Sequence, residues 1–361
     1  MTIRPVLLFV CPRPLLVRPE ILIDLREFAL MDVLSDVLRA VRLTGAIFFE
    51  LRFQAPWVGE SPHTTAIAGS VMPEAEHVIN FHAVLSGACW AALTGGTETY
   101  TRLNTGDIII FPMGDANILS SAPGMRADPN LSLYHRPKDG HLPIVLHQNG
   151  GGTERCQVVC GYFGCDARPF NPLLEALPRM FHAEIPVAGR EWLSHMVRVA
   201  AEETELGSAG SETMLAKLAE LMFVEVVRKH IDHLPEGSKG WLAGLKDRHI
   251  GHAMRLIHGQ PAKDWTLDAL AQEVGLSRSV FADRFSHYAG ASPMHYLGRW
   301  RMQLAARRLE VPGVSIAQAA TEVGYASEAA FNRAFKRFLG SPPGAWRKGR
   351  LLAPAKQRLV H

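Results

Sequence analysis

A pattern of about 28 residues occurs twice near the end of this chain, and two copies of one pattern predict two copies of one small fold. The copies cover residues 266–293 and 315–342, and equivalent positions lie about 49 residues apart. Each copy begins with apolar side chains at helical spacing, which end at Gly275 in the first copy and at Gly324 in the second. The pattern therefore predicts a helix, a glycine turn and a second helix in each copy.

The second helix of each copy has a serine that can cap its start and a pair of phenylalanines four residues apart that predict its buried side. These residues are Ser277, Phe281 and Phe285 in the first copy and Ser327, Phe331 and Phe335 in the second. A helix, a tight turn and a helix, present twice, are typical of paired helix-turn-helix units. A helix of about 17 residues from Pro293 would span roughly 25 Å between them, and the DNA-facing helices could then lie about one DNA turn apart.

Charge divides unevenly between the two parts of the chain. Residues 1–240 contain 20 Lys and Arg and 27 Asp and Glu, whereas residues 241–361 contain 18 and 8. A basic block next to an acidic one is typical of a domain that binds nucleic acid, because phosphate neutralisation supplies most of the non-specific affinity. We therefore expect the repeated pattern to bind double-stranded DNA. A helical module that binds no DNA is the competing interpretation.

Helical geometry predicts which side chains would face DNA, because the phenylalanines define the opposite side of each helix. The expected base contacts are Ser279, Ala282, Asp283 and Ser286 on the first recognition helix and Glu328, Ala329, Asn332 and Arg333 on the second. Arg333 could pair with guanine and Asn332 with adenine. The expected phosphate contacts are Ser277, Arg278, Ser327, Lys336 and Arg337.

In the first half of the chain, short apolar runs alternate with turn residues, which predicts an antiparallel sandwich or barrel. The predicted strands are 46–53, 77–85, 89–93, 97–103, 108–111 and 156–162. The turn at 104–107 predicts a hairpin. Residues 114–153 are rich in proline and glycine, and we expect them to form a mobile lid or a disordered insertion, which could cover a ligand pocket.

The repeated block resembles the DNA-binding domain of the AraC/XylS family of transcription regulators, over about residues 245–348. The resemblance rests on four sets of positions: Leu267, Leu270, Ala271, Gly275, Leu276 and Ser277; Phe281 and Phe285; Gly290, Ser292 and Pro293; and Ala319, Ala320, Gly324, Tyr325, Phe331, Phe335 and Lys336. It implies promoter DNA and RNA polymerase as partners and a bacterial-type regulator, such as an activator, in the cytoplasm. No apolar run is long enough to span a membrane, so we expect no membrane association.

About residues 32–168 resemble the cupin-type regulatory domain that often precedes this block, through Phe81, His82, Val84, Gly87, Cys89 and Trp90, then Gly106 to Pro112, then Cys160 and Gly161. Cupin enzymes bind a metal with histidines and a glutamate, but Asn117 stands about where related sequences have histidine. We therefore expect no cofactor and no enzyme activity. Zinc remains an alternative if three or four residues converge from His63, His77, His82, Cys89, Cys156, Cys160 and Cys165.

The expected signal is a small molecule or an oxidant, and the candidate sensor residues are His82, Cys89, Cys160 and Cys165. Buried cysteines that act only as small apolar residues, and a core histidine bonded to backbone, are the competing interpretations. The chain has five cysteines, an odd number that favours free thiols over a disulfide framework in a reducing compartment.

Two amphipathic helices, at 190–205 and 211–233, are predicted between the two parts. The apolar stripe of the second, Leu215, Leu218, Met222 and Val226, could pack on the barrel or pair with another subunit. The resemblance favours a homodimer. Residue 31 begins a good helix opening, so 1–30, including Cys11, could be an extension or reflect the choice of start codon.

The sequence therefore predicts an α+β fold with two domains: a cupin-like β-barrel with a helical dimerisation and linker segment, then an all-α double helix-turn-helix domain. The predicted boundaries are 1–31 for the extension, 32–185 for the sensor, 186–240 for the helical pair and linker, 241–350 for the DNA-binding domain and 351–361 for the tail. The predicted function is sequence-specific DNA binding controlled by a signal in the barrel. A cupin metalloenzyme with an attached DNA-binding domain is the alternative.

Overall fold

The computed structural model describes residues 32–95, 99–135, 142–183 and 209–352, together with positions 195, 199, 202 and 203. The predicted extension 1–31, most of the predicted helix 190–205 and most of the tail 351–361 lie outside these residues. Strands dominate the first part of the described chain and helices the second, which confirms the α+β fold predicted from the sequence. None of the described helices has the length and hydropathy needed to cross a lipid bilayer.

Two sheets form the N-terminal domain. The larger sheet has the strand order β10-β6-β3-β9-β1-β8 and the smaller one the order β2-β7-β4-β5. Neighbouring strands are antiparallel except β1 and β8, which are parallel. The strands are β1 (Thr44–Gln54), β2 (Val58–Ser61), β3 (His77–Ser86), β4 (Ala88–Leu93), β5 (Thr101–Asn104), β6 (Ile108–Phe111), β7 (Asn117–Ser120), β8 (Ile144–Asn149), β9 (Arg155–Cys165) and β10 (Phe181–Ala183).

Alternating side chains give the larger sheet two buried faces. In β9, Val158, Cys160 and Tyr162 face the smaller sheet, whereas Val159 and Phe163 belong to a different cluster on the outer face. This alternation follows from the two-residue repeat of a strand. The inner faces enclose the core of a barrel-like sandwich, and helices cover the outer face of the larger sheet.

Residues 114–153 are not the structureless segment that their composition predicts. Their described part contains β7, a short 3-10 helix (Leu131–Leu133) and β8. The sequence prediction is wrong because β8 is an edge strand: it pairs with β1 through the backbone, from Phe49↔Ile144 to Gln54↔Asn149, and it needs no clean apolar alternation.

The turn at 104–107 is present, but it does not form a hairpin. The Asp107 N–H donates to the Asn104 carbonyl oxygen at 2.9 Å, and Gly106 takes a φ of 90°. However, β5 before the turn pairs with β4, and β6 after it pairs with β3 and β10. The turn therefore carries the chain from one sheet to the other, and the hairpin prediction is wrong because β5 and β6 pair with other strands in different sheets.

The α-helices of the N-terminal part whose bounds are described are α1 (Val33–Ala40), α2 (Ala68–Val71), α3 (Pro172–Ala176) and α4 (Ser211–Asp232). The second of the two predicted amphipathic helices is thus confirmed as α4. Its residues Leu215, Met222 and Val226 are buried, Leu218 is half-buried, and the helix packs on β1 and β10. The predicted stripe therefore covers the outer face of the larger sheet.

The C-terminal domain has eight described helices: α5 (Trp241–Lys246), α6 (Arg248–Gly259), α7 (Leu267–Glu273), α8 (Arg278–Ala289), α9 (Pro293–Glu310), α10 (Ile316–Glu322), α11 (Glu328–Leu339) and α12 (Pro343–Leu352). Ser277 and Ser327 cap α8 and α11 by accepting a hydrogen bond from the N–H three residues later. Gly275 and Gly324 end the preceding helices with φ of 70° and 83°, which favour glycine. Both predicted helix-turn-helix units are therefore confirmed.

The hydrophobic clusters do not follow the predicted domain boundary. The first unit, with Phe281 and Phe285, shares one continuous buried cluster with α1, α4 and the outer face of the larger sheet. The second unit, with Phe331 and Phe335, has a cluster of its own. The first unit is thus packed onto the sensor part of the chain.

Polar contacts complete this domain interface along α9. Gln303 is 1% exposed, its Nε2 donates to the Ala40 carbonyl at 2.9 Å, and its Oε1 accepts from the Phe170 N–H at 3.0 Å. Arg299 pairs with Glu175 at 2.5 Å. One buried amide therefore satisfies two backbone groups of the other domain.

Arginine-carboxylate pairs also connect the two domains. Arg42 binds both carboxylate oxygens of Asp166 at 2.7 and 2.8 Å and also contacts Glu310 at 2.8 Å. On α12, the buried guanidinium of Arg350 pairs with Glu76 of the N-terminal domain. The first helix-turn-helix unit thus contacts the sensor part through apolar packing, and α12, which follows the second unit, contacts it through Arg350.

Candidate DNA-binding helices and sensor cavity

The first recognition helix, α8, presents most of the predicted base-contact side chains to solvent. Ser279, Asp283 and Ser286 are exposed and Ala282 is half-buried, while Phe281 and Phe285 are fully buried below them. The sequence missed Val280, which is 50% exposed on the same helix. An exposed valine there could contact a thymine methyl group.

The second recognition helix, α11, has the same arrangement. Glu328, Ala329 and Arg333 are exposed, whereas Asn332 is half-buried. The Asn332 Oδ1 atom is buried and has no hydrogen-bond partner among the described residues. A two-point contact with adenine needs both amide atoms, so Asn332 would have to rotate before it could read that base.

The predicted phosphate contacts are accessible on both units. All five residues are exposed: Ser277, Arg278, Ser327, Lys336 and Arg337. Arg278 already forms an exposed ion pair with Asp268 at 3.1 Å, and the Arg337 guanidinium lies 5.3 Å from the centre of the Phe338 ring. The side-chain oxygens of Ser277 and Ser327 each accept one helix-cap hydrogen bond, and their hydroxyl hydrogens can donate to a phosphate.

A cavity of about 360 Å³ lies between the two sheets of the barrel. Its walls come from β1, β2, β3, β7, β8, β9 and the segment that includes Tyr134. The segment 114–153, predicted as a cover for a pocket, therefore supplies part of the wall. A concave, mostly apolar cavity with a few polar groups is the usual form of a small-molecule site.

His82 is the buried polar group of this cavity. It is 2% exposed, and burial lowers its pKa to about 4 while the hydrogen bond to Asn117 opposes that shift. The His82 Nε2 lies 3.0 Å from the Asn117 Oδ1. The interpretation of His82 as a core histidine bonded to backbone is therefore wrong in its partner, which is the side chain of Asn117.

The predicted sensor cysteines do not come together as one group. Cys160 lies on the inner face of β9 and Cys165 on the outer face, because an odd separation of five residues changes the face of a strand. The partner of Cys89 is Cys156, which the sensor prediction left out. Their hydrogen bond raises the pKa of the Cys89 thiol and lowers that of Cys156, and burial raises that of Cys160.

Residue parity and strand pairing explain what the sequence missed. Cys156, Cys160 and Tyr162 are separated by even numbers and share the inner face, and β3 pairing places His82 opposite Cys160. In the described residues, no group of three or more His, Cys, Asp or Glu could hold a metal ion. The soft-ligand set considered for zinc is thus not assembled there.

Comparison with known families follows the two parts of the fold. Residues 32–232 match the model of a cupin family, and residues 270–349 match that of a helix-turn-helix domain. The first match alone covers more than half of the chain.

Several known transcription regulators are similar to this chain over both parts of the fold. The chain is 31% identical to a putative AraC-like transcription regulator of Streptomyces lividans, across 88% of this chain and 98% of that protein. It is 30% identical to the HTH-type transcriptional regulator AlkR of Acinetobacter baylyi, across 88% and 99%. Its C-terminal part is also similar to the DNA-binding domain of AdpA in complex with a target DNA. The sequence identity is 28%, the match covers 30% of this chain and 97% of that chain, and the TM-score is 0.28.

Proposed function

Because the chain belongs to the AraC-type family of transcription regulators with an N-terminal cupin domain, we propose that α8 and α11 read promoter DNA in two adjacent stretches of major groove. The observation that carries this proposal is the pair of helices whose phenylalanines are buried and whose opposite faces are exposed. Arg333 and the exposed side chains of α8 would contact bases. Arg278, Lys336 and Arg337 would hold phosphates.

The barrel is proposed to sense the signal, a small molecule or an oxidant, through its cavity or its thiols. The continuous cluster between the larger sheet and the first helix-turn-helix unit supports a mechanical connection between the two domains. A signal that favours one packing of this interface would shift the population of DNA-competent molecules. The regulator would act in the cytoplasm and contact RNA polymerase at the promoter.

The proposal assigns sensing to 32–185, the connection to 186–240 and DNA binding to 241–350. Its relatives are transcription regulators, and we propose that the chain catalyses no reaction of its own. A homodimer is part of the proposal, with the exposed side of α4, at Met214 and Leu221, as its candidate surface. We propose no role for the extension 1–31 or for the tail 351–361.

The test measures binding of the full-length protein to a duplex that the wild type selects from a random library. Fluorescence anisotropy from 50 to 200 mM salt gives affinity and its salt dependence. Lys336→Ala should lower the slope of log affinity against log salt by about 1 unit, because one phosphate contact is lost. Arg333→Ala should cost about 1–3 kcal/mol and relax the preference at one base pair.

Arg228→Ala is the control, because it removes an exposed positive charge from α4, which packs on β1 and β10 of the barrel. It should leave the slope and the base preference close to wild type. If Arg333→Ala and Lys336→Ala behave like this control, α11 does not bind DNA as proposed.

A further inference from the structure

The cavity between the sheets is lined mainly by apolar and aromatic side chains, with few charged ones. Its inner wall includes Phe49, Leu51 and Tyr162, and no lysine or arginine is among the described residues that line it. The carboxylates of Glu60 and Asp128 line the cavity, and Arg126 binds both carboxylate oxygens of Glu60, at 2.8 and 3.1 Å. An anion would lose its hydration there without gaining a counter-charge, so the lining disfavours anions.

The hydrogen bonds of Asn117 determine which nitrogen of His82 carries the proton. The Asn117 Nδ2 donates to the Asp115 carbonyl oxygen at 3.0 Å, which directs the Oδ1 atom toward His82. Since Oδ1 can only accept, the His82 Nε2 must donate and therefore holds the proton of the neutral ring. The His82 Nδ1 is left as an acceptor.

This acceptor is buried and has no partner. The Nδ1 atom makes no hydrogen bond to any described residue, although His82 lines the cavity. A buried acceptor without a donor costs free energy, and a ligand that supplies the donor recovers it. The ring remains neutral at pH 7, because its pKa is about 4. Asp128, His147 and Gln148 also line the cavity, but the His82 Nδ1 is the lining acceptor that is both buried and without a partner among the described residues.

We propose that the cavity binds an uncharged, mainly aromatic or aliphatic small molecule that has one hydroxyl or N–H group, and that this group donates to Nδ1 of His82. The volume of about 360 Å³ lies near the lower end of the range of roughly 300–1,000 Å³ that is usual for small-molecule sites, so the cavity suits a small ligand. The inference rests on the proposed sensor function of the barrel and specifies the chemical class of its signal.

The test uses isothermal titration calorimetry of the full-length protein with three probes of similar size: 2-naphthol, 2-methoxynaphthalene and 2-naphthoate. The first has a donor, the second only an acceptor, and the third is an anion. We expect 2-naphthol to bind at least about tenfold more tightly than 2-methoxynaphthalene, and 2-naphthoate not to bind. Equal affinities of the first two probes, or no binding of 2-naphthol at millimolar concentration, would overturn the proposal.

Two variants locate the effect at His82. His82→Phe removes the acceptor and should abolish the preference for 2-naphthol. Asn117→Ala frees the ring to place its proton on either nitrogen, so the preference should shrink while the ring is retained. His77→Phe is the matched control, because His77 bonds to the Pro112 carbonyl oxygen and does not line the cavity. A preference that persists in both His82→Phe and Asn117→Ala would assign the donor to another partner.

The two proposals fail in different ways. If the wild-type protein selects no duplex from the random library, the proposed DNA-binding function is wrong whatever the calorimetry shows. If it selects a duplex but does not distinguish 2-naphthol from 2-methoxynaphthalene, only the ligand class is wrong.

Discussion

Gln303 offers the sharpest test of the domain interface. Its side chain on α9 bridges two backbone groups of the sensor part, the Ala40 carbonyl at 2.9 Å and the Phe170 N–H at 3.0 Å. The replacement Gln303→Ala removes both hydrogen bonds at once. Because the side chain is 1% exposed, water does not replace it without rearrangement of the interface.

The magnitude follows from the two groups that lose their partner. A buried donor or acceptor without a partner costs about 1–3 kcal/mol, so the two backbone groups together would lower the free energy of unfolding by about 2–6 kcal/mol. Water that enters the space would bring the loss toward the lower end. The effect should concentrate at the interface, because the second helix-turn-helix unit has its own hydrophobic cluster.

Urea unfolding followed by tryptophan fluorescence measures the free energy, and limited proteolysis at residues 234–240 measures separation of the domains. The control is Gln272→Ala, since Gln272 is an exposed glutamine on the short helix α7. Gln303→Ala should unfold at lower urea and be cleaved faster than this control. A free energy of unfolding within about 0.5 kcal/mol of the control would show that the bridge does not hold the domains together.

Three further predictions test other parts of the structure. His258 is fully buried with a pKa lowered by burial to about 3, so the unfolded chain takes up a proton below about pH 6.5 that the folded chain does not, and stability falls as pH falls. Between pH 7 and pH 5 this ring should lower the free energy of unfolding by about 2 kcal/mol. Burial raises the pKa of Glu76, which acts in the opposite direction, and this effect cancels when the pH dependence of His258→Phe is subtracted from that of the wild type. Equal pH dependence of the two proteins would contradict the prediction. A Cβ on Gly161 would lie 2.2 Å from the Ala46 carbonyl oxygen and 2.6 Å from the Phe81 ring, so Gly161→Ala should lower the melting temperature and reduce the free energy of unfolding by about 2 kcal/mol or more. Gly59→Ala is the control: its Cβ would have nothing within 4 Å, and its free energy of unfolding should stay within about 0.5 kcal/mol of the wild type. The barrel cysteines are at most 5% exposed: Cys89, Cys156, Cys160 and Cys165. In a Cys11→Ser variant, N-ethylmaleimide should therefore label them only after urea is added, which intact-protein mass spectrometry measures. Rapid labelling of the native protein would show that the barrel opens.

Local signals in the sequence predicted the helical domain well, because the information that ends a helix lies within a few residues of the end. Ser277, Gly275 and their counterparts at 327 and 324 act where the pattern places them. The outward direction of the recognition helices also follows from the phenylalanine spacing. Contact with DNA stays a prediction at every one of these positions.

Strand pairing was less accessible, because it depends on partners distant in sequence. The residues at 104–107 form a turn in both the prediction and the structure, yet β5 and β6 on either side pair in different sheets. Residues 144–149 were missed since an edge strand with exposed side chains lacks the apolar alternation of a core strand. In the candidate sensor site, the sequence predicted that His82 lies in the barrel. The hydrogen bond between His82 and Asn117 could be identified only from the folded structure, because the two residues are 35 positions apart.

The shared cluster of α1, α4 and the first helix-turn-helix unit has a practical consequence for work with fragments. A polypeptide that begins at residue 241 would leave Tyr296, Leu297 and Trp300 without part of the buried surroundings that they have in the whole chain. Apolar surface uncovered in this way promotes aggregation. Footprinting or crystallisation trials on such a fragment would gain from solubilising substitutions on the freed surface, while the last helix-turn-helix unit needs none, since its apolar interior is complete.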